Sequence, residues 1–569
     1  MIKRWTKQIS VIDFVLFIGI INLKVSLDTR NKTEVLTMKI TSKLAAILCA
    51  AALFMTVGCS NGGETSSGSS EPDASGSSGT ADVSSASNSE TNESGTVSEE
   101  KIMDSLNNGI IIDSVSGNVY KNEMNANPIS PNIFCADPTA VEYNGRLYVY
   151  GTNDQQQAEE GTKNDYAYIK SLVVFSTDDM VNWIYHGRIE VGEIAPWINN
   201  SWAPSIASRV EDDGLTHFYL YFSNGGAGVG VITSTDPVGP WTDPLGEPLV
   251  YQNMPGLENC PAPFDPGVCI DENGVGWLSF GGGEDSARIV RLGSDMISLD
   301  SDIKKIPSSY HFEASELNFI NGTYVYTYNN DWSTHLKWNY PKTERAPACS
   351  MAYLTTKTPL DPDSWEYRDY YFKNPGEAGM EYSNNHTHLQ KYKDRYYLFY
   401  HSLFPQKALG TEGGFRSLCV NEAVVDEETV TIGRVNADKN GAEQIKPLDP
   451  FAVNQAETAF SSADVSYNDT DVAGNMTVSS SADGGKAAVV WVKGADFGSG
   501  ASSFAVKAKG KGRIEVYLDG KDTLVGAAEF DSKDMKIVCA KLKKKISGEH
   551  DIYFVISQNA EFDEWQFVK

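Results

Sequence analysis

Three acidic residues share a context that suits chemistry. Asp137 lies in Asn132-Ile133-Phe134-Cys135-Ala136-Asp137-Pro138, a short apolar run. Pro138 disfavours the helical region for the residue before it, so Asp137 is expected to be extended. Asp265 stands in the similar setting Pro263-Phe264-Asp265-Pro266, and Glu313 in His311-Phe312-Glu313-Ala314-Ser315-Glu316-Leu317. After Asp137 come Val141-Glu142-Tyr143, a turn at Asn144-Gly145, and the aromatic run Leu147-Tyr148-Val149-Tyr150, a hairpin signal. A carboxylate at the inner end of a strand that opens a hairpin is a good place for a catalytic base. An isolated Asp-Pro, in contrast, is most often only a turn starter. Recurrence before separate strands is what argues for function here.

Those strands form a series. Aromatic runs follow turns at Gly145-Arg-Leu-Tyr-Val-Tyr, Thr216-His-Phe-Tyr-Leu-Tyr, Val275-Gly-Trp-Leu-Ser-Phe, Gly322-Thr-Tyr-Val-Tyr-Thr-Tyr and Asp394-Arg-Tyr-Tyr-Leu-Phe-Tyr. They recur at intervals of roughly 45 to 75 residues, with short strands between them and almost no helical periodicity. This predicts a five-bladed β-propeller, in which each blade buries its faces only against its neighbours. The innermost strands of such a ring point into one axial pocket, so that Asp137, Asp265 and Glu313 can meet despite their distance in sequence.

Ala136-Asp137-Pro138, Trp202-Ala203-Pro204-Ser205, Gly239-Pro240-Trp241, Phe264-Asp265-Pro266, Phe312-Glu313-Ala314-Ser315 and Asn385-His386 follow one another in this order. This ordered set resembles glycoside hydrolase family 43, five-bladed propeller enzymes that cleave arabinose and xylose residues. The resemblance spans about residues 125 to 445. It implies that Asp137 is the general base, Glu313 the general acid, and Asp265 the carboxylate that orients the acid and raises its pKa. An inverting glycosidase needs such a division: a protonated acid at the leaving oxygen, and an ionised base roughly 6.5 to 9.5 Å away that activates water. Asp265 beside Glu313 would keep the acid protonated by like-charge repulsion. Glu316 competes for the acid role but is expected to face the opposite side of an extended segment. Asn318-Phe319 departs from the His-Lys often found in relatives.

By the same resemblance, Trp202 is a sugar-stacking or pocket-wall residue, with core packing the alternative reading. Arg416, in Gly413-Gly414-Phe415-Arg416-Ser417, resembles the arginine that bonds sugar hydroxyls and a carboxylate; an ordinary salt bridge is the alternative. His386 resembles a histidine facing a central calcium or water cluster, although a hard cation prefers oxygen ligands. Calcium at the propeller centre and in the C-terminal module is therefore carried as a structural ion, and no cofactor is required for the chemistry.

After Pro450 short alternating strands with Gly and Asp turns occupy about 115 residues and read as a β-sandwich of jelly-roll type. Gln455-Ala456-Glu457, Trp491-Val492-Lys493-Gly494-Ala495-Asp496-Phe497-Gly498 and the ending Phe562-Asp563-Glu564-Trp565-Gln566-Phe567 resemble a family 6 carbohydrate-binding module, in which Glu457 would help hold calcium. From Asp531 to Val538 no Trp stands where such modules often carry a sugar-stacking aromatic. Sugar binding is then weak, shifted to another face, or lost.

The expected organisation of the 569-residue chain is an export segment at 1–59, a linker at 60–118, the propeller at 119–450 and the module at 451–569. Met38-Lys39, a basic Lys43, the apolar run Leu44 to Val57 and Thr56-Val57-Gly58-Cys59 read as a lipoprotein signal with Cys59 lipidated, Met38 being the expected start. Residues 60 to 100 are almost entirely Ser, Gly, Glu, Asn, Thr and Ala with no aromatic to bury, an acidic tether. The expected place is the outer cell surface. A formal net charge of -28 repels nucleic acid and anionic membrane surfaces, whereas a neutral polysaccharide meets no such barrier. The eight cysteines show no metal-type spacing, and a Cys260–Cys269 disulfide is left open.

The expected activity is an inverting, exo-acting release of α-L-arabinofuranose from arabinoxylan by a monomer. β-Xylosidase comes next and endo-arabinanase third. A non-catalytic glycan-capturing propeller is the rival of a different class; it would not require all three carboxylates. A fructan-cleaving enzyme on the same architecture would retain configuration, with carboxylates about 5 Å apart.

Overall fold

The computed structural model describes Lys121 and residues 126–569, except 404, 407–410, 482–486 and 521–522, together with two paired dipeptides, Ile12–Asp13 and Lys24–Val25. Met38, Cys59, the export segment and the linker thus lie outside the described residues, the paired dipeptides apart. Among those described, no helix is long and apolar enough to cross a membrane.

The chain from Ala136 forms five antiparallel sheets in sequence order. Blade 1 is β1 (Ala136–Tyr143), β2 (Arg146–Thr152), β3 (Leu172–Thr177) and β4 (Ile184–Ile189), with the short helix α1 (Asp154–Glu159) after β2. Blade 2 is β5 (Trp202–Val210), β6 (Thr216–Ser223), β7 (Gly228–Ser234) and β8 (Val250–Tyr251). Blade 3 is β9 (Gly267–Ile270), β10 (Gly276–Phe280), β11 (Arg288–Arg291) and β12 (Lys304–Lys305). Blade 4 is β13 (His311–Ile320), β14 (Thr323–Asn330), β15 (Met351–Thr356) and β16 (Glu366–Phe372), and blade 5 is β17 (Thr387–Tyr392), β18 (Arg395–Ser402) and β19 (Ser417–Ala423). The aromatic runs picked out in the sequence are the second strands, β2, β6, β10, β14 and β18. The Asn144-Gly145 turn has positive φ at both residues (51° and 77°), the mirror-image turn whose twist matches a hairpin.

The innermost strands β1, β5, β9, β13 and β17 neighbour one another around a closed ring, β17 meeting β1. Each inter-blade space holds its own apolar cluster: Tyr150, Leu172 and Phe218 between blades 1 and 2; Tyr221, Val268 and Leu278 between 2 and 3; Trp277, Leu317 and Tyr326 between 3 and 4; Val325, Tyr353 and Leu398 between 4 and 5; Phe399, Leu147 and Val149 between 5 and 1. The segment before β1 ties the ring shut, with Ile129 N–H donating to Leu418 O (2.9 Å) and Cys135 N–H to Arg416 O (2.8 Å).

Asp137 is not extended. Its φ is 49°, Asp265 has 51°, and Ala203 and Ala314 have 39° and 60°. The register breaks between Ala136 and Thr139, Trp202 and Ser205, and Glu313 and Glu316. Three inner strands therefore open on a bulge, which kinks the strand and re-aims side chains at the axis. The Pro rule predicts the wrong region because Asp137 lies within the bulge, where the ladder register breaks.

The C-terminal module is one strongly bent nine-stranded sheet: β20 (Asn454–Gln455), β21 (Ser461–Ala463), β22 (Val465–Asp469), β23 (Met476–Ser480), β24 (Ala488–Asp496), β25 (Ala501–Leu518), β26 (Leu524–Ile546), β27 (Glu549–Ile556) and β28 (Ala560–Val568). It closes around Val490, Phe504, Ile514, Phe554 and Trp565 as a sandwich. Propeller and module lie in one compact unit. Trp183 and Ala459 exchange backbone hydrogen bonds at 2.9 Å, and the Asn182 amide does the same with the Lys493 backbone at 2.8 Å. Cys260 and Cys269 are free thiols.

Candidate active site

Asp137, at the start of β1, is buried and held from two sides. Its Oδ1 accepts from Arg416 Nη1 (2.9 Å) and its Oδ2 from Thr152 Oγ1 (2.7 Å). Thr152, the last residue of β2, in turn accepts from the backbone N–H of Ala203 (2.7 Å), so blade 2 is tied to the same carboxylate. Burial alone would raise the Asp137 carboxyl. Burial is the largest single effect, but the Arg416 guanidinium, the His401 and His386 imidazoles and the Thr152 hydrogen bond together outweigh it and hold the carboxyl below the ordinary value. Asp137 is therefore ionised at neutral pH.

Arg416, just before β19, is positioned by a residue that the sequence did not single out. Asp154, the first residue of α1 and fully buried, accepts from Arg416 Nε and Nη2 at 2.8 Å each and from its backbone N–H at 3.0 Å. This is the bidentate fork that a guanidinium favours. Burial works against the Arg416 charge, but Asp137 and Asp154 more than offset it. The loop that delivers Arg416 is gathered by Gln406, whose Oε1 accepts from the backbone N–H of Gly413, Gly414 and Phe415. Tyr166 lies beneath the guanidinium, 4.8 Å from ring centre to Cζ.

Glu313, the third residue of β13, is buried, and its carboxyl is pushed up to about 7, first by burial and then by the charge of Asp137; Asn384 and Arg416 act in the opposite sense. Asp265, just before β9, is also raised, by burial first and then by Glu313 and Asp137. Its Oδ2 accepts from Ala314 N–H (2.8 Å), which fixes it beside the Glu313 backbone. Asp265 and Glu313 thus form a coupled pair that holds a proton near neutrality, next to an ionised Asp137. Two buried acids of opposite protonation are what general acid–base chemistry requires.

Glu316 leaves the pocket at the bulge and turns to the axis. Its Oε1 accepts from Ser205 Oγ (3.2 Å), and its Oε2 lies 3.2 Å from His388 Nδ1. His386 is buried with Nδ1 3.6 Å from Asp137 Oδ1, while its Nε2 has no hydrogen-bond partner. Burial lowers its basicity. Trp202, at the start of β5, is half-buried; its Nε1 donates to Tyr166 O (3.1 Å) and its ring meets Tyr166 edge-on at 5.9 Å. It stands in the wall beside the Tyr166–Arg416 stack.

Two further residues escaped the sequence reading. His401, in β18, accepts from Asp137 N–H at Nδ1 (3.2 Å) and donates from Nε2 to Asn384 O (2.8 Å). Burial holds this imidazole neutral, at about 3. Asn384 also hydrogen-bonds Glu313 and accepts from Arg416 Nη1 (3.4 Å), linking acid and arginine. The available signal was a polar residue inside an apolar run, His401 in Phe399-Tyr400-His401; Asp154, within Thr152-Asn153-Asp154-Gln155, carried none.

Residues 125–428 match the profile of glycosyl hydrolases family 43 and residues 455–569 that of carbohydrate binding module family 6. The chain belongs to glycosyl hydrolase family 43. It is a glycosidase carrying a C-terminal family 6 module. The arabinoxylan arabinofuranohydrolase of Bacillus subtilis (strain 168) is 34% identical over 499 residues, covering 80% of this chain and 94% of that protein. Its counterpart from Paenibacillus polymyxa is 33% identical over 485 residues, 78% of this chain and 74% of the relative. A crystal structure of a family 43 arabinoxylan arabinofuranohydrolase from Bacillus subtilis, in complex with cellotetraose, superposes with a TM-score of 0.73 at 32% identity, covering 80% of this chain and 99% of the other.

Proposed function

We propose that this family 43 enzyme removes α-L-arabinofuranose from arabinoxylan with inversion, Asp137 acting as base, Glu313 as acid and Asp265 as the residue that keeps Glu313 oriented and protonated. The observation that carries the reading is the division of charge in one pocket: Asp137 ionised against Arg416, Glu313 raised to about 7. The arabinose choice rests on the two relatives named for acting on arabinoxylan. In the reaction, Glu313 protonates the glycosidic oxygen as the bond breaks, and Asp137 takes a proton from the water that attacks the opposite face of the sugar. Arg416 holds Asp137 ionised and keeps one Nη2 N–H for a sugar hydroxyl, and Trp202 closes the pocket wall.

Around His386, Asp137 is committed to Arg416 and Thr152, while His386 Nε2 and Asn385 Oδ1 have no hydrogen-bond partner. Among the described residues no three His, Cys, Asp or Glu side chains converge on a metal position. In the module the donors suit a hard cation better. Glu457 is buried, neither oxygen accepts a well-formed hydrogen bond, and Gln455 Oε1 and Thr458 Oγ1 on the same segment are also unpartnered. A bound calcium would neutralise Glu457 and steady the start of the module. Cys59, as a lipid anchor, would keep a monomeric enzyme at the outer cell surface.

Arabinose and xylose released from arabinoxylan, and 4-nitrophenol released from the α-L-arabinofuranoside and the β-D-xyloside, test this reading. Arabinose alone, lost in Asp137→Asn, supports it. Xylose as the main product, or binding without hydrolysis, overturns it.

A further inference from the structure

The module carries a cavity of about 570 Å³ far in sequence from the propeller pocket, where β23 ends, β25 bulges and β26 passes the turn before β28. Gly510, at φ 95°, lets the backbone close tightly here: a Cβ at that position would lie 1.9 Å from Asn559 O. Lys511 N–H donates to that same carbonyl (3.1 Å). The walls are Ser479, Ser480, Ser532 and Asn559, with Lys509, Lys511 and Lys533 set against Asp531 and Glu561. No aromatic residue lines the cavity. A neutral sugar therefore finds no ring on which to stack its apolar face.

The Lys509 and Lys511 ammonium groups are held by surface ion pairs. Lys509 Nζ meets Glu561 Oε1 at 2.9 Å, but Glu561 is shared with Thr477 Oγ1 (2.7 Å). Lys511 and Asp531 are 3.6 Å apart with both side chains largely in solvent, a pairing worth little. Lys533 is exposed. From Lys533 to Lys545, β26 carries six lysines and one aspartate, in a chain whose net charge is -28. The strand is an edge of the sheet, hydrogen-bonded to β25 alone.

We propose that this cleft binds a carboxylated sugar residue: lysine ammoniums take the carboxylate, and the serine hydroxyls and Asn559 take ring hydroxyls. This deepens the reading of the enzyme as acting on xylan, since uronic-acid side groups occur on such polymers, and the local cations would counter the repulsion of an anionic polymer by the rest of the chain.

The test is calorimetric titration of the full chain with a glucuronic-acid-substituted xylan, the same polymer after chemical reduction of its carboxyl groups, neutral arabinoxylan, and polygalacturonate. The expected result is at least about tenfold weaker binding once the carboxyls are reduced, and loss of affinity as NaCl rises from about 0.05 to 0.5 M. Combined Lys509→Gln, Lys511→Gln and Lys533→Gln should remove that preference. Strong binding of polygalacturonate would support the cleft with a pectic source, and preference for the xylan would support it with a xylan side group. Equal affinity for the reduced polymer, an unchanged preference in the triple variant, or no binding to any polymer overturns the proposal. Hydrolysis of 4-nitrophenyl α-L-arabinofuranoside by the same samples reports separately on the propeller, and the triple variant should leave it unchanged.

Discussion

Asp137 in the propeller and Glu457 in the module are both buried carboxylates, and their surroundings differ. Asp137 faces Arg416 at 2.9 Å and Thr152 at 2.7 Å and is held ionised. Glu457 is pushed up to about 8 by burial, with Asp563 and Glu564 adding to the rise and the backbone N–H groups of Glu457 and Met476 acting in the opposite sense. The propeller satisfies its charge with its own side chains, so the pocket is organised before substrate arrives. The module leaves its charge for something external. A buried acid is thus read by its partners, not by its burial.

The contrast can be tested at both ends. The largest effect is expected from Asp137→Asn: kcat should fall by about 10² to 10⁴ with the fold intact, since a positioned general base contributes about that much. Glu313→Gln should approach the same loss on arabinoxylan and lose less on the 4-nitrophenyl glycoside, whose leaving group needs little protonation. A fall in KM alone for either variant would contradict the assignment.

The pH profile follows from the same two groups. Activity needs Asp137 ionised and Glu313 protonated, so it should rise at a pH below the ordinary carboxylate range and fall near pH 7. In Glu313→Gln the alkaline limb should disappear, leaving the acid limb in place.

Next in size is Asp154→Asn. It loosens the fork on Arg416 and should cost about tenfold to a hundredfold in kcat/KM, the range for a hydrogen bond to a charged group. With Arg416 less fixed, the Asp137 carboxyl rises and the acid limb moves to higher pH. A purely structural role would lower thermal stability without moving that limb.

The smallest effect belongs to the module. In chelator, the raised Glu457 makes stability full below its ordinary 4.5 and progressively lost as pH climbs through about 8. Glu457→Gln removes that titration, so its Tm at pH 9 should exceed the parent's by several degrees. Added calcium should raise the parent's Tm and leave the variant's unchanged. Equal Tm values under all conditions would mean that Glu457 is not an unpaired charge.

Much of this was legible in the chain. The five aromatic runs are the second strands of five blades because a strand buried along its whole length, as Thr323–Asn330 is, is rich in large apolar and aromatic side chains. Asp137, Asp265 and Glu313 stood out because a repeat places them alike. The bulges did not: φ is positive at Asp137 and Asp265, each before Pro, against the extended conformation that the local rule favours. Asp154 was silent because its partner, Arg416, lies far away in sequence, and His401 showed only as a polar residue in an apolar run, its partner Asp137 being equally distant. The lysine-lined cleft was visible only as a missing Trp between Asp531 and Val538; the structure supplies its walls.

The central claim is direct attack by water that Asp137 activates while Glu313 protonates the leaving oxygen. Proton NMR of the first arabinose released from arabinoxylan, recorded before mutarotation, tests it most directly. Inversion at the anomeric carbon gives β-L-arabinofuranose as the first anomer. The α anomer would mean a covalent intermediate and would contradict it.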